Sequence, residues 1–201
     1  MSYEKVTSEA DLEALYDAAK PKSLTKVAKR LTPLYREWIG AARFVILSTV
    51  GPEGTDASPR GDDGPVVRMA DDTTLLMPDW RGNNRLDCLR NIVRDARVSL
   101  MFMVPGESNV VRVNGSAIVS ADPALTTSFE QRGNHPRSVI MVTIDELYFQ
   151  CAKAIMRSGL WNGAPTEKLP TAGQFLREVE ADFDADAYDS GYVENSKPRM
   201  W

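Results

Sequence analysis

The chain contains only one histidine, His135, and two cysteines, Cys88 and Cys151, in 201 residues. These residues are too few to build a zinc site from cysteine and histidine ligands alone, and two thiols cannot form a disulfide scaffold. A lone histidine followed directly by Pro136 also gives little support to a Ser-His-Asp hydrolase. The sequence therefore predicts no metal site and identifies no catalytic residue, and both cysteines are expected to be small buried hydrophobic residues.

Long apolar runs are also missing. No stretch approaches the roughly 20 residues that cross a bilayer, and the opening residues MSYEKVTSEADLEAL lack the basic and apolar regions of a signal peptide. The formal net charge of −4 and the pI of about 5.2 disfavour binding to nucleic acid or to anionic membranes. These features predict a cytoplasmic protein with no nucleic-acid or membrane partner.

The composition, with 43% hydrophobic and 26% charged residues, is typical of a globular protein. The length suits one structural domain with terminal additions. We expect a β-barrel domain at 43–165. N-terminal helices at 1–42 are expected to pack on this barrel, and a C-terminal helix with an acidic tail is expected at 166–201.

Six short segments rich in β-branched and apolar residues predict strands, at 43–50, 66–71, 74–79, 97–104, 109–120 and 138–150. Helical patterns occur at 8–20, 23–41, 84–95, 121–133 and 171–183, and Pro33 marks a kink or a join in the second. We expect the segment TDASPRGDDG to be a loop and the acidic tail after 183 to be irregular. Because turns link most strands, the pattern predicts a mainly β fold with flanking helices (α+β), an antiparallel sheet that closes as a barrel.

Four groups of basic and polar residues interrupt the apolar pattern. They are SPRGD at 58–62, PDWRGNNR at 78–85, the strand pair Arg112 and Asn114, and the pair Lys153 and Arg157 one helical turn apart. Each group alone fits solvent-exposed charge. Together they could converge on a phosphate, with Trp80 or Trp161 covering a flat ring.

The ordered motifs ASPRGD, TLLMPDWRGNNRLDCLRNIVRDARVSLMFMVPG, VVRVNGSA and YFQCAKAIMRSGLW resemble the pyridoxamine 5'-phosphate oxidase-like family of FMN-binding split barrels. Within it, the chain is most similar to an uncharacterised branch with SPRGD, GNNR and CAKA…RS.LW signatures. The similarity covers about residues 40–165. It implies a six-stranded antiparallel split β-barrel that forms a homodimer, with FMN in the grooves between the subunits.

The resemblance also implies which residues bind the cofactor FMN. Ser58, Arg60, Asn83, Asn84 and Arg85 belong to the motifs that hold the phosphate, while Met77, Pro78 and Asp79 would run alongside the isoalloxazine and ribityl groups. Gln150, Lys153, Arg157 and Trp161 would follow the last barrel strand and reach over from the second subunit. A cation such as Lys153 or Arg157 near flavin N1 would stabilise the reduced, anionic ring.

The function implied by the resemblance is an FMN-dependent oxidoreductase that transfers hydride or electrons to an unknown small substrate. The alternative is a flavin carrier, sensor or electron-transfer module without turnover. A third reading replaces FMN with heme or a deazaflavin. The C-terminal Arg/His motif of pyridoxamine phosphate oxidase proper is not found in the sequence, which argues against a vitamin B6 substrate.

Overall fold

The computed structural model describes residues 3–163 and 168–201 and contains one antiparallel sheet flanked by short helices. The strands are β1 (Phe44–Gly51), β2 (Gly54–Gly61), β3 (Arg68–Met69), β4 (Thr74–Asp79), β5 (Arg97–Met103), β6 (Val110–Ser120) and β7 (Ser138–Gln150). They follow the order β2-β1-β5-β6-β7-β4-β3, so β2 and β3 lie at the two ends of the sheet. The predicted mainly β split-barrel fold with flanking helices is confirmed, with seven strands instead of six.

The additional strand is β2, at a position where the residue pattern predicts a loop. Its residues GTDASPRG pair with β1 over the full length of both strands, from Phe44 opposite Gly61 to Gly51 opposite Gly54. Glycine, proline and aspartate are rare in strands, because glycine loses the most backbone entropy and proline lacks the N–H donor of the ladder. β2 is an edge strand with no fully buried residue, and proline is tolerated at such an edge.

The sheet is also more open than the closed barrel predicted from the strand pattern. No backbone pairing joins β2 to β3 or β4 within the residues that the structure describes. Side chains bridge this opening instead, because Arg60 on β2 reaches Asp79 at the end of β4. The opening between these two strands is where the candidate site forms.

Alternation of side chains explains the core. On β1, Val45, Leu47 and Thr49 are buried, while the residues between them are only half-buried. The α-helix α4 (Asp87–Arg94) covers this strand with its buried residues Cys88 and Ile92. The helix that leads out of the candidate site is therefore fixed on β1, next to the edge strand β2.

The pairing of β6 with β7 shifts register between Asn114 and Gly115, which lie opposite Glu146 and Ile144, so Asp145 is the extra residue of a β-bulge in β7. A Cβ atom at Gly115 would lie 2.0 Å from the backbone oxygen of Thr143. The two strands can approach this closely only because residue 115 has no side chain.

The remaining helices are α1 (Glu9–Glu13), α2 (Pro21–Thr25), α3 (Pro33–Ala41), α5 (Pro123–Thr126), α6 (Lys153–Ser158), α7 (Ala172–Val179) and α8 (Ala185–Ser196), followed by a 3-10 helix at Lys197–Arg199. Pro33 begins α3, so the predicted pattern at 23–41 is a join between two helices. The predicted helices at 8–20 and 121–133 are much shorter than expected. Pro21 begins α2 instead of ending a preceding helix.

The N-terminal segment reaches the sheet through an isolated bridge, in which Ala28 and Leu147 exchange backbone hydrogen bonds of 2.9 and 2.8 Å. Leu31 is part of the core, but the apolar residues expected on the first helix do not cover a core. Leu12, Leu15 and Tyr16 are 47%, 66% and 73% exposed. In the single chain these three side chains are exposed, and the packing of the N-terminal helices on the barrel stays a prediction.

The acidic tail is helical, although its composition predicts irregular structure. Asp184 caps α8 by accepting a hydrogen bond from the backbone N–H of Ala187 at 2.9 Å. Asp189 on α8 accepts hydrogen bonds from Thr171 and from the backbone of Gly173, which joins α8 to α7. The predicted boundary at 165/166 lies outside the described residues.

Candidate functional site

A cavity of about 1140 Å³ lies at the opening of the sheet, where β2 and the end of β4 approach each other. Residues within 56–62, 78–89 and 134–138 form most of its wall, and Met200 and Trp201 complete it. Of the predicted site residues, the cavity brings together Ser58, Arg60, Pro78, Asp79, Asn83, Asn84 and Arg85. Two motifs that are 20 residues apart in the sequence thus share one site.

Arg60 is the most buried cation of this cavity. It shares one face of β2 with Asp56 and Ser58, because alternate residues of a strand point to the same side. Its Nη1 donates to Oδ1 of Asp79 at 2.5 Å, and the two side chains are 21% and 17% exposed. Within the described part of the chain, Arg60 Nε is the one buried side-chain polar atom without a hydrogen-bond partner. A buried donor without a partner is costly, so this atom marks a position for a ligand acceptor.

The GNNR loop, residues 82–85, forms the wall opposite β2 and leads into α4. Asn84 and Leu86 have φ angles of 60° and 63°, a left-handed conformation that costs energy for residues with a side chain. α4 begins without a side-chain cap, so amide groups of its first turn remain available. Such amides, with the positive end of the helix dipole, favour an anion.

The charges that line the cavity are balanced in number, with four arginines and four aspartates: Arg60, Arg81, Arg85, Arg137, Asp56, Asp62, Asp79 and Asp87. All four aspartates accept a hydrogen bond from another side chain. Arg81 and Arg137, in contrast, have no ion-pair partner among the described residues. Two ion pairs, Arg60 with Asp79 and Arg85 with Asp87, therefore form within the lining. The carboxylates of Asp56 and Asp62 are held by neutral donors, so the guanidinium groups of Arg81 and Arg137 are the cations that can pair with a bound anion.

Cys88 lies below the GNNR loop and is buried, as predicted. Its thiol donates to Oδ2 of Asp56, with the sulfur 2.8 Å from the oxygen. Burial, and then the hydrogen bond to Asp56, raise the pKa of this thiol above its usual value of 9.0. Cys88 is thus held as a thiol, which is a poor nucleophile and a poor metal ligand. Cys151 is exposed, so the expectation of burial was wrong for that residue.

Several residues of the cavity were not identified from the sequence. His135 and Arg137 precede β7, and Met200 and Trp201 follow α8. His135 and Arg137 lie at the site because the neighbouring Ser138 pairs with Asp79 in the sheet. Knowledge of the register between β4 and β7 would therefore have identified these two residues. His135 Nδ1 lies 2.6 Å from the backbone oxygen of Phe129. Because a carbonyl oxygen can only accept a hydrogen bond, Nδ1 must be the donor, and the neutral tautomer of this ring has its proton on Nδ1.

Asp62 connects three parts of the cavity wall. Its Oδ2 accepts from the indole of Trp80 at 2.7 Å, and its Oδ1 accepts from the indole of Trp201 at 3.1 Å and from the amide of Gln131 at 3.0 Å. The carboxylate therefore fixes two aromatic rings that are far apart in the sequence.

The other predicted site residues lie elsewhere in this chain. Met77 is 1% exposed and packs in the core. Gln150 ends β7, and Lys153 and Arg157 lie on the exposed helix α6. The cavity meets the other end of β7, at Ser138, roughly 40 Å away along the strand at about 3.3 Å per residue.

Trp161 is also remote from the cavity. Its indole N–H donates to the backbone oxygen of Glu107 at 2.8 Å, in the loop between β5 and β6. On β6, Arg112 packs over the ring of Tyr148, and Asn114 bonds to Ser99 and Glu146. The strand cluster predicted from Arg112 and Asn114 therefore stabilises the sheet and does not line the cavity.

Among residues 3–163 and 168–201, no group of three or more histidine, cysteine, aspartate or glutamate side chains is arranged to hold a metal ion. None of the helices in these ranges has the length and apolar character needed to span a bilayer.

Solved structures with similar chains have low sequence identity. A putative pyridoxamine 5'-phosphate oxidase from Lactobacillus delbrueckii is 23% identical, covering 60% of this chain and 95% of its own, with a TM-score of 0.46. HupZ from Group A Streptococcus is 16% identical, covering 59% and 93%, with a TM-score of 0.49. An FMN-binding protein from Syntrophomonas wolfei is 13% identical, covering 58% and 83%, with a TM-score of 0.44.

No curated protein matches the chain. The family model for pyridoxamine 5'-phosphate oxidase matches residues 31–151, which include β1 to β7 and every segment of the cavity wall except Met200 and Trp201. The match extends over more than half of the 201 residues, and the chain belongs to the pyridoxamine 5'-phosphate oxidase family.

Proposed function

We propose that the cavity binds FMN and that the protein is an FMN-dependent oxidoreductase. The observation that carries this proposal is Arg60, which lines a cavity of about 1140 Å³ and whose buried Nε has no hydrogen-bond partner in the described residues. Family membership supports a flavin as the ligand of this cavity. The volume slightly exceeds the range of about 300–1,000 Å³ for small-molecule sites, so it can accommodate a nucleotide-sized cofactor.

The residues present fit the phosphate of FMN. Arg60 offers a buried donor, Arg85 lies in the opposite wall, and the uncapped start of α4 offers backbone amides. Charge-assisted hydrogen bonds of this kind are the strong ones, and a phosphate dianion can accept several. We expect Asn83 and Asn84 to add side-chain donors, and Ser58 to add a hydroxyl.

The flat part of the ligand would lie toward the end of β4. Pro78 and Trp80 line this side of the cavity, and an indole packs well against an aromatic ring. A bound flavin supplies the hydride or electron transfer, and the protein supplies orientation and electrostatics. Arg81 and Arg137, which have no ion-pair partner in the described ranges, add positive potential around the bound molecule.

A homodimer would bring the remaining predicted residues to the flavin. Gln150, Lys153, Arg157 and Trp161 are too far from the cavity of their own chain to contact the same ligand. In a dimer they would reach the cavity of the second subunit, where Lys153 or Arg157 could approach the flavin ring. The exposed apolar side chains of Phe149, Met156 and Leu160 surround this region and favour its burial in an interface.

Flavin binding is tested by titrating the purified protein with FMN and following the quenching of flavin fluorescence. We expect tight binding, a yellow protein, and release of FMN on denaturation. A protein that stays colourless and leaves the fluorescence of added FMN unchanged would refute the proposal. Light scattering on the FMN-loaded protein tests the dimer, and a monomer that retains FMN would contradict the shared site.

Turnover separates the oxidoreductase from a flavin carrier or electron-transfer module. The FMN-loaded protein is mixed with NADH or NADPH under exclusion of oxygen, and bleaching of the flavin absorption is recorded before an acceptor is added. Reduction followed by repeated reoxidation supports an enzyme. Binding of FMN without reduction by either donor, and without transfer to any acceptor in a panel, supports the carrier.

A further inference from the structure

Two tryptophans that are far apart in the sequence bind the two oxygens of one carboxylate. Trp80 donates to Oδ2 of Asp62 at 2.7 Å, and Trp201 donates to Oδ1 at 3.1 Å. All three residues line the cavity. A carboxylate that accepts both indole N–H groups fixes the edge of each ring and thereby limits how each ring can turn.

Trp201 has a second contact, which occupies one of its faces. The guanidinium of Arg132 lies 4.3 Å from the centroid of the Trp201 ring, a cation–π arrangement. An indole has two faces, and Trp201 lines the cavity, so its second face can pack against a planar group bound there. The ring of Trp201 is therefore held by its edge at Asp62 and by one face at Arg132, and it is not buried in the core.

The segment that carries Trp201 is ordered by its own contacts. The backbone N–H of Gly173 on α7 donates to Asp189 on α8 at 2.8 Å, and a Cβ atom at Gly173 would lie 2.5 Å from the backbone oxygen of Ala185. Arg199 Nε donates to the backbone oxygen of Asn195 at 2.7 Å, which continues the helical path to Met200. α7 and α8 thus form a base from which Trp201 reaches the cavity.

We propose that Trp201 is a ligand-contacting residue that packs on the planar ring of the bound molecule, and that Asp62 is the positioning residue that aligns it with Trp80. This inference rests on the proposed function, because the ring in question is the flavin. It adds a ligand contact outside residues 31–151, the range that the family model matches. The chemical class that such a pair of indoles recognises is an extended aromatic ring system.

The test compares FMN with riboflavin, which has the same ring but no phosphate. Trp201→Leu removes the ring contact, so we expect the dissociation constants of both flavins to rise by the same factor, about tenfold or more. Arg60→Gln removes a phosphate contact, so it should weaken FMN and leave riboflavin nearly unchanged. Tyr16→Leu is the matched control, because Tyr16 is 73% exposed and lies outside the cavity.

Two further variants keep the result interpretable. Trp201→Phe retains an aromatic ring and should bind both flavins more tightly than Trp201→Leu does. In a double-mutant cycle, Asp62→Asn and Trp201→Leu together should cost less than the sum of the single changes, because Asp62 acts partly through Trp201. A purely structural role of Asp62 would give additive losses. Circular dichroism of each variant verifies that it is folded.

The outcomes separate this inference from the proposed function. If the wild-type protein binds neither flavin, both proposals fall together. If it binds FMN and the folded Trp201→Leu variant binds FMN and riboflavin with unchanged affinity, only the role of Trp201 is overturned. If Trp201→Leu weakens the binding of FMN but not of riboflavin, the proposed role of Trp201 is also overturned, since its contact would then lie at the phosphate.

Discussion

The guanidinium of Arg60 on β2 bonds to the carboxylate of Asp79 at the end of β4, and this pair bridges the opening of the sheet. The two residues belong to different sequence motifs and to strands near opposite ends of the strand order. Both side chains are about four-fifths buried. The pair therefore joins β2 to β4 and holds Arg60 in the cavity wall, where its buried Nε has no hydrogen-bond partner among the described residues.

Replacing Arg60 with glutamine should weaken FMN binding at least tenfold, or about 1.4 kcal/mol, because a charge-assisted bond to the phosphate is lost. The control variant is Arg43→Gln. Arg43 is an exposed arginine close to the end of β2, and its guanidinium lies 3.5 Å from the carboxylate of Asp63. We expect Arg43→Gln to leave the affinity unchanged. Equal affinity in both variants, measured by flavin fluorescence quenching, would place the phosphate elsewhere.

Strands with a buried face were predictable, as β7 shows. Its range, 138–150, follows directly from the run SVIMVTIDELYFQ, in which apolar and β-branched residues recur where the strand meets the core. β2 was not predictable from composition, because its polar residues Asp56, Ser58 and Arg60 face a cavity and not a core. The alternation of these residues was nevertheless visible in the sequence and is the signal that could have indicated a strand.

The contribution of Trp201 could not be predicted, because no local pattern relates residues 62 and 201. Contact between them requires α7 and α8 to lie beside the cavity, and α8 contains mostly exposed polar and acidic residues that give little helical periodicity. The distant placement of Lys153 and Arg157 follows from the length of β7, which could be predicted. The proposed contact of Lys153 and Arg157 with a flavin requires a second subunit, and a single sequence carries no direct signal of how two subunits are arranged.

Gly115→Ala should destabilise the protein by about 1–3 kcal/mol or more, because the added methyl group would overlap the backbone oxygen of Thr143 at the bulge. Gly82→Ala is the control, since no atom lies within 4 Å of a Cβ built there and we expect a change within about 0.5 kcal/mol. Both free energies of unfolding are measured in urea. Equal stability of the two variants would show that β6 and β7 can move apart at little cost.

The two cysteines should differ in their reaction with a thiol reagent. The pKa of Cys88 is raised, first by burial and then by Asp56, so at pH 8 its thiolate fraction and access are low and it should react roughly tenfold or more slowly than exposed Cys151. Cys151→Ser should abolish the fast phase, which a colorimetric disulfide exchange assay follows. A fast phase that persists in this variant would contradict the buried state of Cys88.

The same raised pKa predicts a loss of stability at alkaline pH. The folded protein holds Cys88 as the neutral thiol, so its contribution is fully present below the unfolded pKa of about 9 and is lost as the pH rises through the higher folded pKa. Cys88→Ala should flatten this part of the curve of unfolding free energy against pH. An unchanged slope between pH 8 and 10 in Cys88→Ala would argue that other groups cause the loss.

Mixing two inactive variants should restore FMN binding if each site uses residues from both subunits. One variant carries Arg60→Gln, and the other carries Lys153→Gln with Arg157→Gln. A mixed dimer then contains one site with both changes and one with none, so random exchange of subunits should make about a quarter of all sites intact. The chains are mixed after mild dissociation, and tight FMN binding is counted by fluorescence titration against each variant alone. If Lys153 and Arg157 acted within their own chain, every site would retain a defect and mixing would restore nothing.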